Sequence, residues 1–185
     1  MLIEPEVHII EKYFQEILHC FTMTNIRCKG GKEIDLLAID TKTNEKYHVE
    51  SRVGTSPSFK IREKDTYTSK GRAHKIGLDY FQNEKFEHPI IVQKIHELFG
   101  ETSYNKILVV WDVEDLSLKE IAKKKYGFDL WFMDELLNDM INSGIIKGSR
   151  DDILRVIEFI SLLEKNHFRR ESGALKRRQM RGIAR

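Results

Sequence analysis

Two acidic residues and an arginine share what the sequence predicts to be one β-hairpin. The segments EIDLLAID (33–40) and KYHVESRV (46–53) are rich in apolar residues and are joined by a short polar segment typical of a turn. In an antiparallel hairpin the residue numbers of any two facing residues add up to the same total. A turn centred between these segments sets that total at about 85. Asp35 is therefore expected to face Glu50 at about 5 Å, with Arg52 two residues along on the same side of the sheet.

This pair of carboxylates needs a compensating cation. Like charges directly opposite each other destabilise a sheet, and an unpaired carboxylate at Asp35 is costly among its apolar neighbours Ile34, Leu36 and Leu37. A divalent cation bound by oxygens of both carboxylates would compensate for the repulsion and for the burial. The spacing therefore predicts a metal site with Asp35 and Glu50 as ligands.

A third carboxylate is expected from the first helix, which the spacing of apolar residues predicts over roughly residues 5–20. Glu6 lies near the middle of the apolar stripe of this helix, and Glu11 lies toward its edge. A glutamate on the buried face would approach the hairpin and its two carboxylates. Glu6 equally suits the helix N-terminus, where an acidic side chain complements the helix dipole, so both interpretations stay open.

The order of these features resembles the PD-(D/E)XK nuclease superfamily. An amphipathic helix and a glycine turn precede Asp35, and a gap of 14 residues separates Asp35 from the motif Glu50-Ser51-Arg52. Within the superfamily the chain is most similar to archaeal Holliday-junction resolvases, and the resemblance extends over roughly residues 5–133. It implies a restriction-endonuclease-like fold and metal-dependent hydrolysis of DNA phosphodiester bonds, including those of branched or structured DNA.

The resemblance also implies a role for each residue of the motif. Asp35 and Glu50, with the backbone carbonyl of Ser51, would bind Mg²⁺ or Mn²⁺, which activates water and stabilises charge on the phosphodiester. A helix glutamate, best matched by Glu6 and next by Glu11, would hold metal-bound water or a second ion. Resolvases of this type act as dimers, so a homodimer is a further expectation, although no residue of the sequence identifies its interface.

One departure from the family concerns Arg52, because the family has a lysine at this position. A lysine can change its protonation state, whereas an arginine stays charged and donates through a broad planar fork. Arg52 would still stabilise a phosphodiester transition state; alternatively, a nearby lysine such as Lys60 substitutes for it, or the fold has lost cleavage. With Arg52 included, the predicted catalytic residues are Glu6, Asp35, Glu50 and Arg52.

Two basic segments stand out against a net charge of only +2. Residues 52–75 contain seven basic and two acidic residues, and residues 169–185 contain seven basic and one acidic residue, so the remainder of the chain is acidic. Two basic segments that converge on one face would bind a polyanion such as DNA. The predicted phosphate-binding residues are Lys60, Arg62, Lys64, Lys70, Arg72 and Lys75 in the first segment and Lys176, Arg177, Arg178 and Arg181 in the second.

The surrounding elements predict an α/β fold. Strands alternate with helices along most of the 185 residues, and the early hairpin requires antiparallel neighbours, so a mixed central sheet flanked by helices is expected. We expect one domain over residues 1–168, ending in C-terminal helices, and a basic tail over 169–185, with residues 54–75 mainly loop. No apolar segment approaches the ~20 residues that cross a bilayer, and the acidic N-terminus is unlike a secretory signal. These features predict a cytoplasmic protein without a membrane partner.

Three hypotheses about function follow from these residues. The first is a DNA endonuclease that depends on Mg²⁺ or Mn²⁺. The second is a catalytically silent module on the same fold that binds nucleic acid or supports assembly, and the third is a protein-interaction domain whose acidic body binds a basic partner. Arg52 distinguishes the first two hypotheses poorly, because an arginine at this position is compatible with either an active or a silent site.

Overall fold

The computed structural model describes residues 4–53, 60–67 and 73–163, which form a five-stranded mixed β-sheet flanked by helices. The predicted α/β class with a mixed sheet is therefore confirmed. The chain divides into two compact units, Met1–Asp139 and Met140–Arg185, and the sheet belongs to the first. The predicted boundary between residues 168 and 169 lies outside the described residues. Among the helices of the described ranges, none has the length and apolar character needed to span a membrane.

The described residues form the strands β1 (Cys20–Arg27), β2 (Glu33–Asp40), β3 (Lys46–Arg52), β4 (Thr66–Tyr67), β5 (Ala73–Lys75), β6 (Asn105–Val110) and β7 (Asp129–Phe132). The main sheet has the strand order β1-β2-β3-β6-β7. Its first three strands pair antiparallel, and β3, β6 and β7 pair parallel. A separate short pair, β4 and β5, lies within the segment that the sequence predicts to be mainly loop.

The hairpin of β2 and β3 has the predicted register. Leu36 pairs with Val49 and Ile39 pairs with Lys46, and the residue numbers of each pair add up to the expected 85. Asp40 sets the turn between the strands, because its Oδ1 accepts hydrogen bonds from the backbone amides of residues 42 and 43 at 2.6 and 2.9 Å. An aspartate that bonds the backbone just ahead of it is a common turn former.

Helices cover both faces of the main sheet. Side chains of adjacent strand residues point to opposite faces, and in β3 the ring of Tyr47 contacts Phe14 of the first helix, whereas the ring of His48 contacts Phe86 of the second. The helices are α1 (Pro5–Glu16), α2 (Leu78–Phe81), which continues as a π-helical turn (Gln82–Phe86), α3 (Pro89–Phe99), α4 (Leu118–Ile121), which continues as a second π-helical turn (Ala122–Tyr126), and α5 (Met133–Ser143).

The start of α2 is held against the segment that precedes it. The amide of Gly77 donates to Asp65 Oδ1 at 2.6 Å, and the amide of Leu78 donates to the carbonyl of Arg62 at 2.9 Å. Only glycine fits at position 77, because a Cβ there would lie 2.3 Å from the backbone carbon of Lys64. This close approach fixes where α2 begins, and therefore where the π-helical turn that follows it lies over the sheet.

The second unit is described over residues 140–163. It contains the end of α5, a turn in which Gly144 and Gly148 have positive φ angles, and a helix, α6, over residues 152–163. Several large apolar side chains of α6 are exposed to solvent, namely Val156, Phe159, Ile160, Leu162 and Leu163.

Candidate active site

The candidate site lies where β2 and β3 separate. The ladder between these strands ends at the Leu36–Val49 pair, one position before Asp35 and Glu50. Beyond this pair, the side chain of Asp35 links the two strands in place of backbone hydrogen bonds. Its Oδ2 accepts hydrogen bonds from the backbone N of Ser51 at 2.8 Å and from Ser51 Oγ at 3.0 Å. Both bonds go to one oxygen, so Asp35 is held firmly and its other oxygen, Oδ1, is left to face a cation.

Glu50 is completely buried, with no part of its side chain exposed. Glu50 projects to the same face of the sheet as His48, and the π-helical turn that contains Phe86 packs on that face and shields the carboxylate from solvent. His48 Nε2 lies 2.8 Å from Glu50 Oε1, and the histidine is itself fully buried. His48 thereby holds one oxygen of Glu50, while the other, Oε2, lies against the ammonium of Lys85. A buried carboxylate without a nearby cation would be very costly.

The cation of the site is Lys85, which none of the sequence predictions includes. Its Nζ lies 2.5 Å from Glu50 Oε2 and 3.5 Å from Asp35 Oδ1, and it donates to the backbone carbonyl of Glu33 at 3.1 Å. The contact with Glu50 is an ion pair without hydrogen-bond geometry, since Oε2 accepts no hydrogen bond from the described residues. Lys85 stands on the π-helical turn, a distortion that often accompanies functional sites. The two carboxylates signal that a cation is needed, but nothing in the sequence near Lys85 identifies it.

The electrostatics of the site follow from burial and from these three charges. Burial and the nearby Glu50 carboxylate raise the pKa of Asp35, although Lys85 and the two hydrogen bonds from Ser51 oppose the shift. Burial alone would lower the pKa of Lys85, but Glu50 and Asp35 outweigh it and raise that pKa above its usual value. Lys85 is therefore a stable ammonium at neutral pH and acts as a fixed positive charge.

A cleft of about 240 Å³ opens above these residues. Its walls carry charges of both signs, and Glu50 lies beneath its floor. The charged and hydroxyl side chains that line it are Glu4, Glu33, Asp35, Ser51, Arg52, Tyr80 and Lys85. An open polar cleft with a charged floor can admit a charged group of a substrate to within reach of Asp35 and Lys85.

Most of the predicted motif comes together here. Asp35, Ser51 and Arg52 line the cleft, Glu50 lies directly behind them, and Arg52 is exposed at the rim. Lys60, the proposed substitute for the lysine of the family, lies elsewhere, because its Nζ pairs with Asp112 Oδ2 at 2.9 Å. The lysine that contacts the carboxylates comes instead from a helix.

The helix carboxylate is placed differently from the prediction. Of the glutamates near the start of α1, Glu4 lines the cleft and Glu6 does not. The buried residues of α1 are Val7, Ile10, Tyr13 and Phe14, so Glu6 lies beside the buried face instead of at its centre. Burial raises the pKa of Glu4 most, followed by the carboxylates of Glu6 and Asp35. Glu4 therefore lies close enough to Asp35 to interact with it electrostatically.

Glu11 also lies away from the cleft, because the polar groups of β1 and α1 hold it. Its Oε1 accepts hydrogen bonds from Thr22 Oγ1 at 3.2 Å and from Gln15 Nε2 at 3.4 Å, and its Oε2 lies 3.4 Å from His8 Nδ1. These contacts give Glu11 a structural role between α1 and the edge strand. It is the less suitable of the two predicted helix glutamates.

The basic segment is only partly described. Arg62 Nη2 pairs with Glu114 Oε1 at 2.8 Å, so both Arg62 and Lys60 have acidic partners in the segment after β6. Lys64 is exposed, and Lys75 ends β5. Lys70, Arg72 and all four predicted residues of the tail, Lys176, Arg177, Arg178 and Arg181, lie outside the described residues. Acidic partners would have to be displaced before Lys60 or Arg62 could bind phosphate.

No group of three or more histidine, cysteine, aspartate or glutamate side chains suited to a metal ion occurs within residues 4–53, 60–67 and 73–163. Two carboxylates, Asp35 and Glu50, do converge on one position, which the ammonium of Lys85 occupies. The arrangement offers two oxygen ligands and a negative charge in excess of the cation present.

Neither protein-family models, nor curated proteins, nor solved structures include a match to this chain. The geometry of the site and the resemblance of its motif are therefore the grounds for a functional proposal.

The raised pKa of Asp35 predicts a change in how stability depends on pH. The folded state binds this proton more tightly than the unfolded state, so wild type should lose stability as pH rises from about 3.8 through the folded-state pKa. Asp35→Asn removes this loss. The free energy of unfolding of the variant, relative to wild type, should therefore rise over this pH interval and then level off, as measured by urea denaturation.

Asp40→Asn provides a matched control on the same strand. Hydrogen bonds from the amides of Thr43 and Lys42 lower the pKa of Asp40, so its ionisation stabilises the folded state as pH rises. The free energy of unfolding of Asp40→Asn relative to wild type should therefore fall as pH rises from the lowered folded-state pKa to about 3.8, and it should stay level over the interval in which that of Asp35→Asn rises. A relative stability of Asp35→Asn that is constant with pH would contradict the assigned environment of Asp35.

Proposed function

We propose that this protein is a metal-dependent endonuclease that hydrolyses DNA phosphodiester bonds on a restriction-endonuclease-like fold. One observation carries the proposal: Asp35 and Glu50 converge beneath an open polar cleft, beside a lysine that is held between them. The resemblance of the hairpin motif to the PD-(D/E)XK superfamily supports the same conclusion. A mixed sheet with an antiparallel hairpin at this position is compatible with that fold.

The residues of the site fit a divalent cation. Asp35 Oδ1 and Glu50 Oε2 are hard oxygen donors of the type that Mg²⁺ prefers, and the positive charge of Lys85 balances only one of the two carboxylates. Asp35 and Glu50 would hold the ion, with the carbonyl of Ser51 as the further ligand that the resemblance implies. When bound, Mg²⁺ or Mn²⁺ would supply activated water and stabilise charge on the phosphodiester.

Each polar residue of the cleft then has a distinct task. Ser51 holds Asp35 through two hydrogen bonds, and His48 holds one oxygen of Glu50, so both carboxylates are fixed before substrate binds. Lys85 remains protonated because its pKa is raised, and it would stabilise negative charge on the phosphodiester without accepting a proton. Arg52 at the rim would bind phosphate of the incoming strand, since a guanidinium donates to two phosphate oxygens together.

A silent module that binds nucleic acid or supports assembly is the second candidate. The observation that favours it is the ion pair itself, because the ammonium of Lys85 already compensates a large part of the carboxylate charge. A site that has lost cleavage would keep such a lysine to stabilise the fold. DNA as the partner, a homodimer and a cytoplasmic location stay predictions under either candidate.

A cleavage assay distinguishes the two candidates. The pure protein is incubated with Mg²⁺ or Mn²⁺ and with labelled duplex, flap, single-stranded and four-way-junction DNA. The endonuclease proposal predicts metal-dependent cleavage of at least one substrate, which EDTA stops and which Asp35→Asn, purified in the same way, lacks. Binding without cleavage would favour the silent module, and the absence of both activities across the panel would contradict the endonuclease and a silent module that binds DNA, leaving only a module that supports assembly.

The basic tail gives a separate prediction about DNA binding. Deletion of residues 169–185 should weaken binding to all DNA sequences alike, because contacts with phosphate carry little sequence information. The slope of log K against log salt should become shallower by ~0.9 for each duplex phosphate that the tail neutralises in the intact protein. Fluorescence anisotropy at several salt concentrations measures the slope, and an unchanged slope would show that the tail does not touch the DNA backbone.

A further inference from the structure

One residue of the cleft has an unusual backbone conformation. Asn25 lies within β1 and has a φ angle of +52°, in the left-handed region that residues other than glycine adopt infrequently. It lies between the Thr24–Leu36 and Ile26–Ile34 pairs of the ladder, at the one position of this run where pairing with β2 is interrupted. A strand would be more regular with a residue in extended conformation here, so the distortion calls for a reason other than sheet stability.

The distortion occurs directly opposite Asp35. The register on either side of Asn25 places it across from Asp35, and both residues line the cleft. Because β2 lies between β1 and β3 in the sheet, Asn25 and Arg52 stand on either side of Asp35. The strained residue is thus one wall of the site, and the exposed arginine is the opposite wall.

The side chain of Asn25 is chemically suited to this position. It makes no hydrogen bond with another residue of the described ranges, although the amide offers two N–H donors and a carbonyl acceptor. The carboxylates of Glu4 and Glu33 also line the cleft and would repel phosphate. A neutral donor on this acidic side of Asp35 would let a phosphate approach where a carboxylate at the same position would exclude it.

We propose that Asn25 contacts the substrate, donating its amide N–H to an oxygen of the nucleic-acid backbone while Arg52 binds the same strand from the other side of Asp35. The inference rests on the part of the proposed function that makes nucleic acid the ligand of this cleft. It adds to that function a residue that positions the strand and that the hairpin motif does not contain.

Asn25→Gly separates this role from a structural one. Glycine adopts a φ of +52° without steric strain, so the variant should fold and melt at the same or a higher temperature than wild type. It lacks the amide, so we expect DNA to bind about 10- to 100-fold more weakly, the effect typical of removing a hydrogen bond to a charged group. If Asn25 were needed only for the fold, Asn25→Gly would bind DNA as tightly as wild type, or it would melt at a lower temperature than wild type.

Asn44→Gly is the matched control, because Asn44 also has a positive φ, +60°, but lies in the turn between β2 and β3 and does not line the cleft. The melting temperature of Asn44→Gly should stay the same or rise, as expected for Asn25→Gly, while the DNA binding of Asn44→Gly stays at the wild-type level. Asn25→Asp should bind more weakly than Asn25→Gly, since it places a negative charge at the same position.

The measurements are fluorescence anisotropy with labelled duplex and four-way-junction DNA in EDTA, where no cleavage occurs, followed by steady-state cleavage with Mg²⁺. Weaker binding by Asn25→Gly but not by Asn44→Gly supports the inference, even if wild type proves unable to cleave. Equal binding by the two glycine variants overturns the inference and leaves the endonuclease proposal intact. Failure of wild type to bind either DNA also overturns the inference, whereas the cleavage panel, which includes flap and single-stranded DNA with metal, tests the endonuclease proposal separately.

Discussion

Asp35→Asn and Glu50→Gln should each lower the rate of DNA cleavage by at least about 10³-fold, the upper end of what a single transition-state contact contributes. Each substitution removes one of the two carboxylates that contact the ammonium of Lys85 at the cation position of the cleft. Asn and Gln keep the size of the side chain, so the sheet should remain intact. The measurement is the single-turnover cleavage rate with saturating Mg²⁺ or Mn²⁺, together with a thermal melt of each variant.

The two variants should differ in stability. Asp35→Asn relieves repulsion between the carboxylates and leaves Lys85 paired with Glu50, so its melting temperature should hold or rise. Glu50→Gln removes the partner at 2.5 Å from a lysine side chain that is only 21% exposed, so it should lower the melting temperature. Glu120→Gln, an exposed acid on α4, is the control and should cleave like wild type. Cleavage by Asp35→Asn within a few-fold of wild type would contradict the assigned site.

Lys85→Met should lower both stability and cleavage. The substitution keeps much of the apolar length of the side chain but leaves Glu50, which is fully buried, facing Asp35 without a cation. Removing one partner of a buried ion pair costs about 3–5 kcal/mol, and removing one donor to a transition state costs about 10²–10³ in rate. Denaturation without divalent cation and single-turnover cleavage with Mg²⁺ measure the two effects.

A divalent cation should partly restore the stability of Lys85→Met. The two carboxylates would bind the ion more tightly once the competing ammonium is removed, and a ligand that binds only the folded state raises its stability. The melting temperature of Lys85→Met should therefore rise more on addition of Mg²⁺ than that of wild type. Lys94→Met, which removes a half-buried lysine paired with Glu97 on α3, should show neither the loss nor the recovery.

Arg52→Ala supplies the comparison that identifies the functional cation. Arg52 is exposed at the rim, so its removal should lower cleavage and leave the free energy of unfolding nearly unchanged. Arg52→Lys restores the residue of the family. A large gain in cleavage by this variant would mean that the site has lost activity because an arginine replaces the lysine at position 52. Full cleavage by Lys85→Met would show that Lys85 supports only the fold.

The β2–β3 hairpin is the part of this protein that the sequence itself determines. Two apolar segments separated by a tight polar turn allow one register, because a slip by one residue would turn every buried side chain toward the wrong face. The Asp40 side chain reinforces that turn through local hydrogen bonds. The pairing of Leu36 with Val49 follows, and it places Asp35 and Glu50 at neighbouring positions of adjacent strands. The alternation of strands and helices likewise indicates the mixed α/β sheet.

The residues that complete the cleft depend on packing between distant elements. Lys85 reaches Asp35 across a sequence separation of 50 residues, and the contact exists because Gly77 lets α2 begin close to Lys64 and because α2 continues as a π-helical turn. Neither effect leaves a periodic pattern in the sequence. Whether Glu4 or Glu6 lines the cleft also depends on packing between elements, because it is set by the rotation of α1 about its axis against β1 and β2.

Local patterns thus determine which residues are neighbours on one hairpin, whereas tertiary packing decides which cation stands between them. Hydrophobic periodicity specifies which face of an element is buried, but a rotation of α1 by part of a turn or a shift of α2 along its axis preserves much the same burial. The energies that select one such position are sums over many weak contacts. For that reason the carboxylates of this site can be predicted from the sequence, and the lysine between them is visible only in the folded structure.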